Sequence, residues 1–304
     1  MKYQLEDINF RTVSDPAAFM AESDEAYRHK VKQAADLIAA NRKRSPIVLL
    51  SGPSGSGKTT TSMKIAEELN RRGINTHYVA LDDYFKTIDE NSPRTADGQL
   101  DLESPLCVDM ELLNRHFEML SRGERVFIPK YEFSRRMRVQ EPSKSIKLKG
   151  DEVVIFEGIH ALNSSITDVH PEAFKLYISA RSDVEFQGQI VFKRTWFRLV
   201  RRLVRDARFR ACTAERTLDM WPSVMRGEYQ YIKPFRPSAD LTINTFLAYE
   251  GCVLRGEALA LLAQVPSSSP HWGEACRLRE AVAGFTPLPS SCVPEKSILH
   301  EFLG

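Results

Sequence analysis

Eight consecutive residues restrict the fold of this chain more than any others. Gly52-Pro53-Ser54-Gly55-Ser56-Gly57-Lys58-Thr59 fits the pattern G-x-x-x-x-G-K-[ST] at every fixed position. The apolar run Ile47-Val48-Leu49-Leu50 before it reads as a buried strand, and Thr60 to Arg72 after it reads as a helix closed by Gly73. Strand, glycine turn and helix in that order describe a phosphate-binding loop. The glycines let the backbone curl so that successive N–H groups converge on phosphate oxygens, and the helix N-terminus adds the positive end of its dipole. Gly52, Ser54, Gly55, Ser56, Gly57, Lys58, Thr59 and Thr60 are therefore expected to hold a nucleoside triphosphate, with Lys58 on the outer phosphates and the Thr59 hydroxyl on Mg²⁺.

From Ile47 onward, strands and helices alternate. A second strand is expected at Thr76 to Leu81, a helix at Val108 to Leu120, and strands at Arg125 to Ile128, Asp151 to Phe156, Phe174 to Ser179 and Ala239 to Ile243. Runs such as Val153-Val154-Ile155-Phe156 lack polar alternation, as strands buried on both faces of a parallel sheet do. The expected fold class is α/β: a doubly wound, mainly parallel sheet of P-loop NTPase type with flanking helices and an arginine-rich lid. Residues 1–45 read as a helical prefix with one long surface helix from Asp15-Pro16 to Arg44. Residues 46–246 read as the core, with the lid at about 196–228, and residues 247–304 as a helical extension.

Composition narrows the partners. Forty-two Lys and Arg against 40 Asp and Glu leave a net charge of +2, so no global field favours nucleic acid or an anionic membrane. The five cysteines form no C-x-x-C pair, which argues against a zinc site or disulfide framework and suits a reducing compartment. Without an apolar signal-type N-terminus or a membrane-length apolar run, a soluble cytoplasmic protein is expected.

Phosphoryl transfer needs a carboxylate near the metal, a group to orient the acceptor, and positive charge around the migrating phosphoryl. Asp82 and Asp83 end the second strand and Glu157 ends the third apolar one, where ligands of open parallel sheets bind. Neighbouring strand residues point to opposite faces, so one of the two aspartates is expected to face the site. Arg198, Arg201, Arg202, Arg205, Arg208 and Arg210 follow helical spacing with Val200, Leu203 and Val204 among them. A solvated amphipathic helix and an RNA contact both fit this run. The preferred reading is a lid whose arginines close over the triphosphate.

These motifs, in this order, resemble the uridine kinase and phosphoribulokinase family from about Ser45 to Tyr249. Asp82-Asp83-Tyr84-Phe85 is similar to its D-x-[FY]-[FY] segment, Asp101-Leu102-Glu103-Ser104-Pro105 with Asp109 to its F-D-x-P-x-A-x-D segment, and Pro129-Lys130-Tyr131-Glu132-Phe133 to P-x-Y-D-F. Phe156-Glu157-Gly158-Ile159-His160-Ala161-Leu162 resembles E-G-I-x-A-L, and Arg198 to Asp206 resembles the R-L-x-R-R-x-x-R-D run that opens the lid. The resemblance implies an ATP- and Mg²⁺-dependent kinase acting on a hydroxyl, in pyrimidine nucleoside kinases the ribose 5′-OH, and a homo-oligomer. Carried onto this chain, Asp82 is the base, with Lys58, Arg201 and Arg205 beside it in the catalytic set. Thr59, Asp82 and Glu157 surround the metal, and Arg202 and Arg210 join the loop on the donor. Asp83, Tyr84, Glu103, Tyr131, Arg136, Arg138, His160 and Arg198 form the acceptor side. The chain departs from the pattern in four places: Glu103 stands for the usual Asp, Ser134-Arg135-Arg136-Met137-Arg138 replaces a His-bearing segment, Arg210-Ala211-Cys212 replaces R-G-R, and Trp196-Phe197 stands where an acidic residue precedes the lid arginines. Another sugar-like or anionic acceptor, or an ATP-binding sensor without acceptor chemistry, are the alternatives these departures raise.

Overall fold

The computed structural model describes residues 2–304, except for the side chain of Lys2. Its centre is a five-stranded sheet in the order Leu241–Asn244, Phe174–Ser179, Ile47–Ser51, Val153–Glu157, Thr76–Ala80, with every neighbouring pair parallel. The expected α/β class is what the structure shows. Successive side chains on a strand point to opposite faces, and both faces are covered. Val48, Leu50, Val153, Ile155, Leu176 and Ile178 face one core, while Ile47, Leu49, Val154, Phe156 and Tyr177 face the other.

The expected strand at Arg125 to Ile128 is longer and lies elsewhere. Arg125–Glu132 pairs antiparallel with Met137–Lys147 as a separate hairpin beside the Asp82 segment. A second small sheet joins Lys2–Gln4, Asp183–Phe186 and Gln189–Phe192. No sequence signal marked these short strands, because four residues are too few to establish a period.

The N-terminal helix is not a surface element. Pro16–Asn41, capped by the Asp15 carboxylate on the Ala18 amide, buries Phe19, Met20, Tyr27, Val31, Ala34, Ala35 and Ile38 in the first core. The same core takes Leu254, Ala258, Leu278, Ile298 and Phe302 from the C-terminal helices. A buried hydrogen-bonded triangle ties prefix, body and C-terminal segment together: Tyr249 OH donates to Asp24 Oδ2 at 2.9 Å and lies 2.8 Å from Ser297 Oγ, which is 3.1 Å from Asp24 Oδ1. Burial raises the Asp24 carboxyl pKa above its ordinary value. Its two hydroxyl donors support the charged form.

The arginine run is mostly core as well. Arg194–Phe209 packs against Glu250–Leu262 and His300–Leu303, and Phe197, Leu199, Val200, Leu203 and Val204 are buried. Within the expected lid, residues 210–213 form a largely exposed corner between the Arg194–Phe209 and Ala214–Gly227 helices, where Ala211 adopts φ 48°.

Tyr249→Phe removes the hydroxyl that two buried groups share. It is expected to lower unfolding stability by about 1–3 kcal/mol in urea melts, a loss that an independent, loosely attached prefix would not produce.

Candidate active site

The loop after the Ile47–Ser51 strand is held by close approaches that only glycine permits. Gly55 and Gly57 have φ of 73° and 82°. A Cβ on Gly52 would collide with the Ile178 carbonyl, one on Gly55 would lie 2.8 Å from the Arg198 carbonyl oxygen, and one on Gly57 2.5 Å from Ile298 Cδ1. Pressed between these walls, the loop runs into the Lys58–Arg71 helix with Gly57 at its N-cap. Among the described residues the amides of Gly55, Gly57, Lys58 and Thr59 donate no hydrogen bond. Such a ring of free amides at a helix N-terminus fits polyphosphate.

Arginines from the Arg194–Phe209 helix brace the loop from behind. Arg201 is fully buried; its guanidinium pairs with the equally buried Glu250 and donates to Thr245 O at 2.8 Å, Thr245 Oγ1 at 3.2 Å and Gly55 O at 3.3 Å. Thr245 Oγ1 in turn donates to Ser56 O at 2.6 Å. Arg202 Nη1 donates to Ser54 Oγ at 3.0 Å, and Arg198 Nη1 to Ser54 O at 3.3 Å while its Nη2 pairs with Glu228. Asp206, almost fully buried, gathers Arg202 at 3.1 Å, Arg205 at 2.8 Å and Arg210 at 3.5 Å.

Three carboxylates stand on the open side. Glu157 Oε2 accepts from Thr59 Oγ1 at 3.0 Å and Tyr78 OH at 2.9 Å, and Oε1 lies 4.0 Å from Lys58 Nζ. Asp82 sits in the Leu81–Tyr84 turn with its tip reaching solvent and feels the charges of Lys58 and Arg210. Dense surroundings strip enough hydration from Asp82 and Glu157 to raise both carboxyl pKa values despite Lys58. Glu103 is the third; lost hydration pushes its pKa up to about 7 against the pull of Arg202 and Lys58. Its side chain presses on Gly227, where a Cβ would lie 2.5 Å from Glu103 Cβ. Beside it His160 is buried against the Glu103 backbone, and burial holds its pKa down at about 4. The hydroxyl of Thr59 with Glu157 and Asp82 forms a hard oxygen set suited to Mg²⁺ that shares its coordination with phosphate. Among the described residues no three His, Cys, Asp or Glu side chains cluster as a self-sufficient metal site.

An aromatic group adjoins this cleft. Phe85, Tyr131 and Phe133 lie 5.5, 5.6 and 4.9 Å apart by ring centroids, with Phe133 exposed. The Lys86 amide donates to Cys107 O at 2.7 Å and the Cys107 thiol to Asp101 O at 3.4 Å, which ties the Phe85 segment to the one that carries Glu103, and Tyr231 OH donates to Asp101 Oδ2 at 2.9 Å.

The structure therefore gathers Lys58, Thr59, Asp82, Glu103, Glu157, His160 and Arg202 around one cleft. Six expected residues stand elsewhere. Arg198 is buried behind the loop on Glu228 and the Ser54 carbonyl. Arg201 is no lid arginine, because its charge is spent on Glu250 under the loop. Tyr84 turns into the second core, where its hydroxyl lies 2.8 Å from His116 Nδ1. Asp83 faces the hairpin, taking the Tyr131 backbone N–H and the charge of Lys144. Arg138 is anchored to Asp109 at 3.0 Å and to the carbonyls of Tyr84 and Phe85, and Arg136 is exposed at the hairpin turn with φ 52°. Sequence reading missed Tyr78, Thr245, Glu250 and Glu228. Thr245 follows the carboxyl end of the Leu241–Asn244 strand, so the strand-end rule that found Asp82 and Glu157 could have found it. The others carry no local signal.

A glycine-cradled anion site flanked by strand-end carboxylates defines a P-loop phosphotransferase. Residues 47–248 match the model of the phosphoribulokinase / uridine kinase family, and the chain belongs to that family of small-molecule kinases. The uridine kinase of Macrococcus caseolyticus is 31% identical over 204 residues, covering 66% of this chain and 88% of its own. The uridine kinase of Saccharomyces cerevisiae is 29% identical over 258 residues, 84% of this chain and 46% of that one. Among solved structures, a putative fructose transport system kinase from Silicibacter sp. TM1040 overlaps 69% of this chain and 98% of its own, at 19% identity and a TM-score of 0.46.

Removing one member of a buried ion pair strands the other charge. Arg201→Met is expected to lower stability by about 3–5 kcal/mol in chemical denaturation. Adding Glu250→Leu should recover most of that loss, which an arginine acting only in catalysis would not require.

Proposed function

We propose that the protein transfers the γ-phosphoryl group of ATP to a primary hydroxyl of a nucleoside-like acceptor, with the ribose 5′-OH of a pyrimidine nucleoside as the favoured target. The observation that carries this reading is the placement of Asp82 across one cleft from Lys58, with Glu103 and His160 alongside and the Phe85, Tyr131 and Phe133 rings adjoining. Carboxylate and imidazole suit sugar hydroxyls, and a cluster of ring faces suits a flat base.

Under this reading the free amides of Gly55, Gly57, Lys58 and Thr59 hold the phosphates and Lys58 neutralises charge on the outer ones. Thr59, Glu157 and Asp82 would hold Mg²⁺, which when bound would supply further charge neutralisation. Asp82 accepts the proton of the attacking hydroxyl. Glu103 receives the sugar hydroxyls, while Arg202, linked to Ser54, and Arg210, in the field of Asp82, border the transfer path. Arg205 serves this arrangement through Asp206. Chemistry then comes chiefly from positioning and electrostatics.

Release of ADP measured against ribonucleosides, pentoses and sugar phosphates tests the acceptor class; turnover with sugar phosphates alone would refute the nucleoside reading. Asp82→Asn is expected to reduce turnover by about 10²–10⁴-fold with ADP affinity held within a few fold. A second expectation follows from Glu103. Its carboxyl, with a pKa of about 7, is neutral at pH 6 and charged at pH 8, so the acceptor KM should fall as pH rises through 7. Glu103→Gln should flatten that dependence.

A further inference from the structure

The amide of Thr60 differs from its neighbours in the cradle. It is the third residue of the Lys58–Arg71 helix, and it donates to Glu301 Oε2 at 3.2 Å. The amides of Gly55, Gly57, Lys58 and Thr59 have no such partner among the described residues. A carboxylate thus occupies one of the positions that the phosphate-binding geometry reserves for a donor phosphate oxygen. We propose that Glu301 is a built-in competitor of the donor: its carboxylate and the innermost phosphate of the nucleotide exclude each other at the Thr60 amide, and this competition sets donor affinity. The proposal rests on the reading of this loop as the nucleotide site.

The segment that carries Glu301 is firmly seated. Ile298, Leu299 and Phe302 are fully buried, and Ile298 packs on Gly57 itself. Lys64 Nζ donates to Lys296 O at 2.6 Å, Arg208 donates to Leu303 O, and the Arg201 guanidinium stacks 5.1 Å from the Phe302 ring centroid. Glu301 itself is only half-buried. Release therefore needs only rotation of one side chain about a fixed backbone, a change that costs little and is available on the timescale of ligand entry. Two like charges at one amide repel, so phosphate can bind there only after the carboxylate has swung away.

This arrangement makes a prediction in the direction opposite to structural damage. Loss of a merely supporting contact weakens a binding site; loss of a competitor strengthens it. Binding of ADP with Mg²⁺ is to be measured by calorimetry on the full chain and on Glu301→Gln and Glu301→Ala, with thermal unfolding to establish that all three are folded. Both variants should bind ADP about 5–10-fold tighter than the parent chain, as when a competing form that holds most of the population is removed. Equal or weaker binding by the variants, with the parent binding normally, overturns the proposal and leaves Glu301 as a helix cap. Failure of all three folded proteins to bind ADP overturns the nucleotide-site reading, and the competition with it.

Discussion

The glycine loop keeps its shape because a buried cation stands behind it. Arg201 spends its charge on Glu250 and its remaining donors on Thr245 and the carbonyl of Gly55, and Thr245 reaches on to Ser56. A loop of three glycines has more backbone freedom than any other stretch of this chain, and a curled conformation with two positive φ values survives only where surrounding atoms fix it. The guanidinium, with its planar fan of five donors, suits that task better than a lysine, which would supply one point of charge. The desolvated pair itself contributes little net stability. Its effect is to fix geometry.

In front of the loop the charges follow the reverse logic. Asp82, Glu103 and Glu157 stand in surroundings that strip hydration faster than Lys58 and the arginines restore it, so all three carboxyls are raised from their ordinary values. Cations behind and reluctant anions in front form a site in which added positive charge, as on a metal, would draw the carboxylates back to their ionised form. His160 extends the same environment, its pKa held down by burial.

Prefix and C-terminal segment belong to this account because neither is peripheral. The Asp24, Tyr249 and Ser297 triangle lies in the same core as the base of the Arg194–Phe209 helix, and the chain that follows Ser297 lays Ile298 on Gly57. Stability of the ends and the shape of the phosphate cradle are thereby linked through one packed cluster.

The sequence by itself determined the elements whose signals are local: the phosphate loop, the strands around it with their unbroken apolar runs, and the strand-end positions of Asp82 and Glu157. Periodicity and turn chemistry act over a few residues, so they can be read without knowing what packs on what. Only the tertiary structure decided the fate of the arginines. Spacing put Arg198, Arg201, Arg202 and Arg205 on a helix, but whether a guanidinium meets solvent, Ser54 or Glu250 depends on residues up to 49 positions onward or 148 before it. The same holds for Tyr84 and Asp83, two residues and one residue beyond Asp82 yet turned to His116 and to the hairpin. Glu301 is the extreme case, since nothing near it in sequence hints at Thr60, 241 residues away, and only the packing of Ile298 and Phe302 brings the carboxylate to that amide.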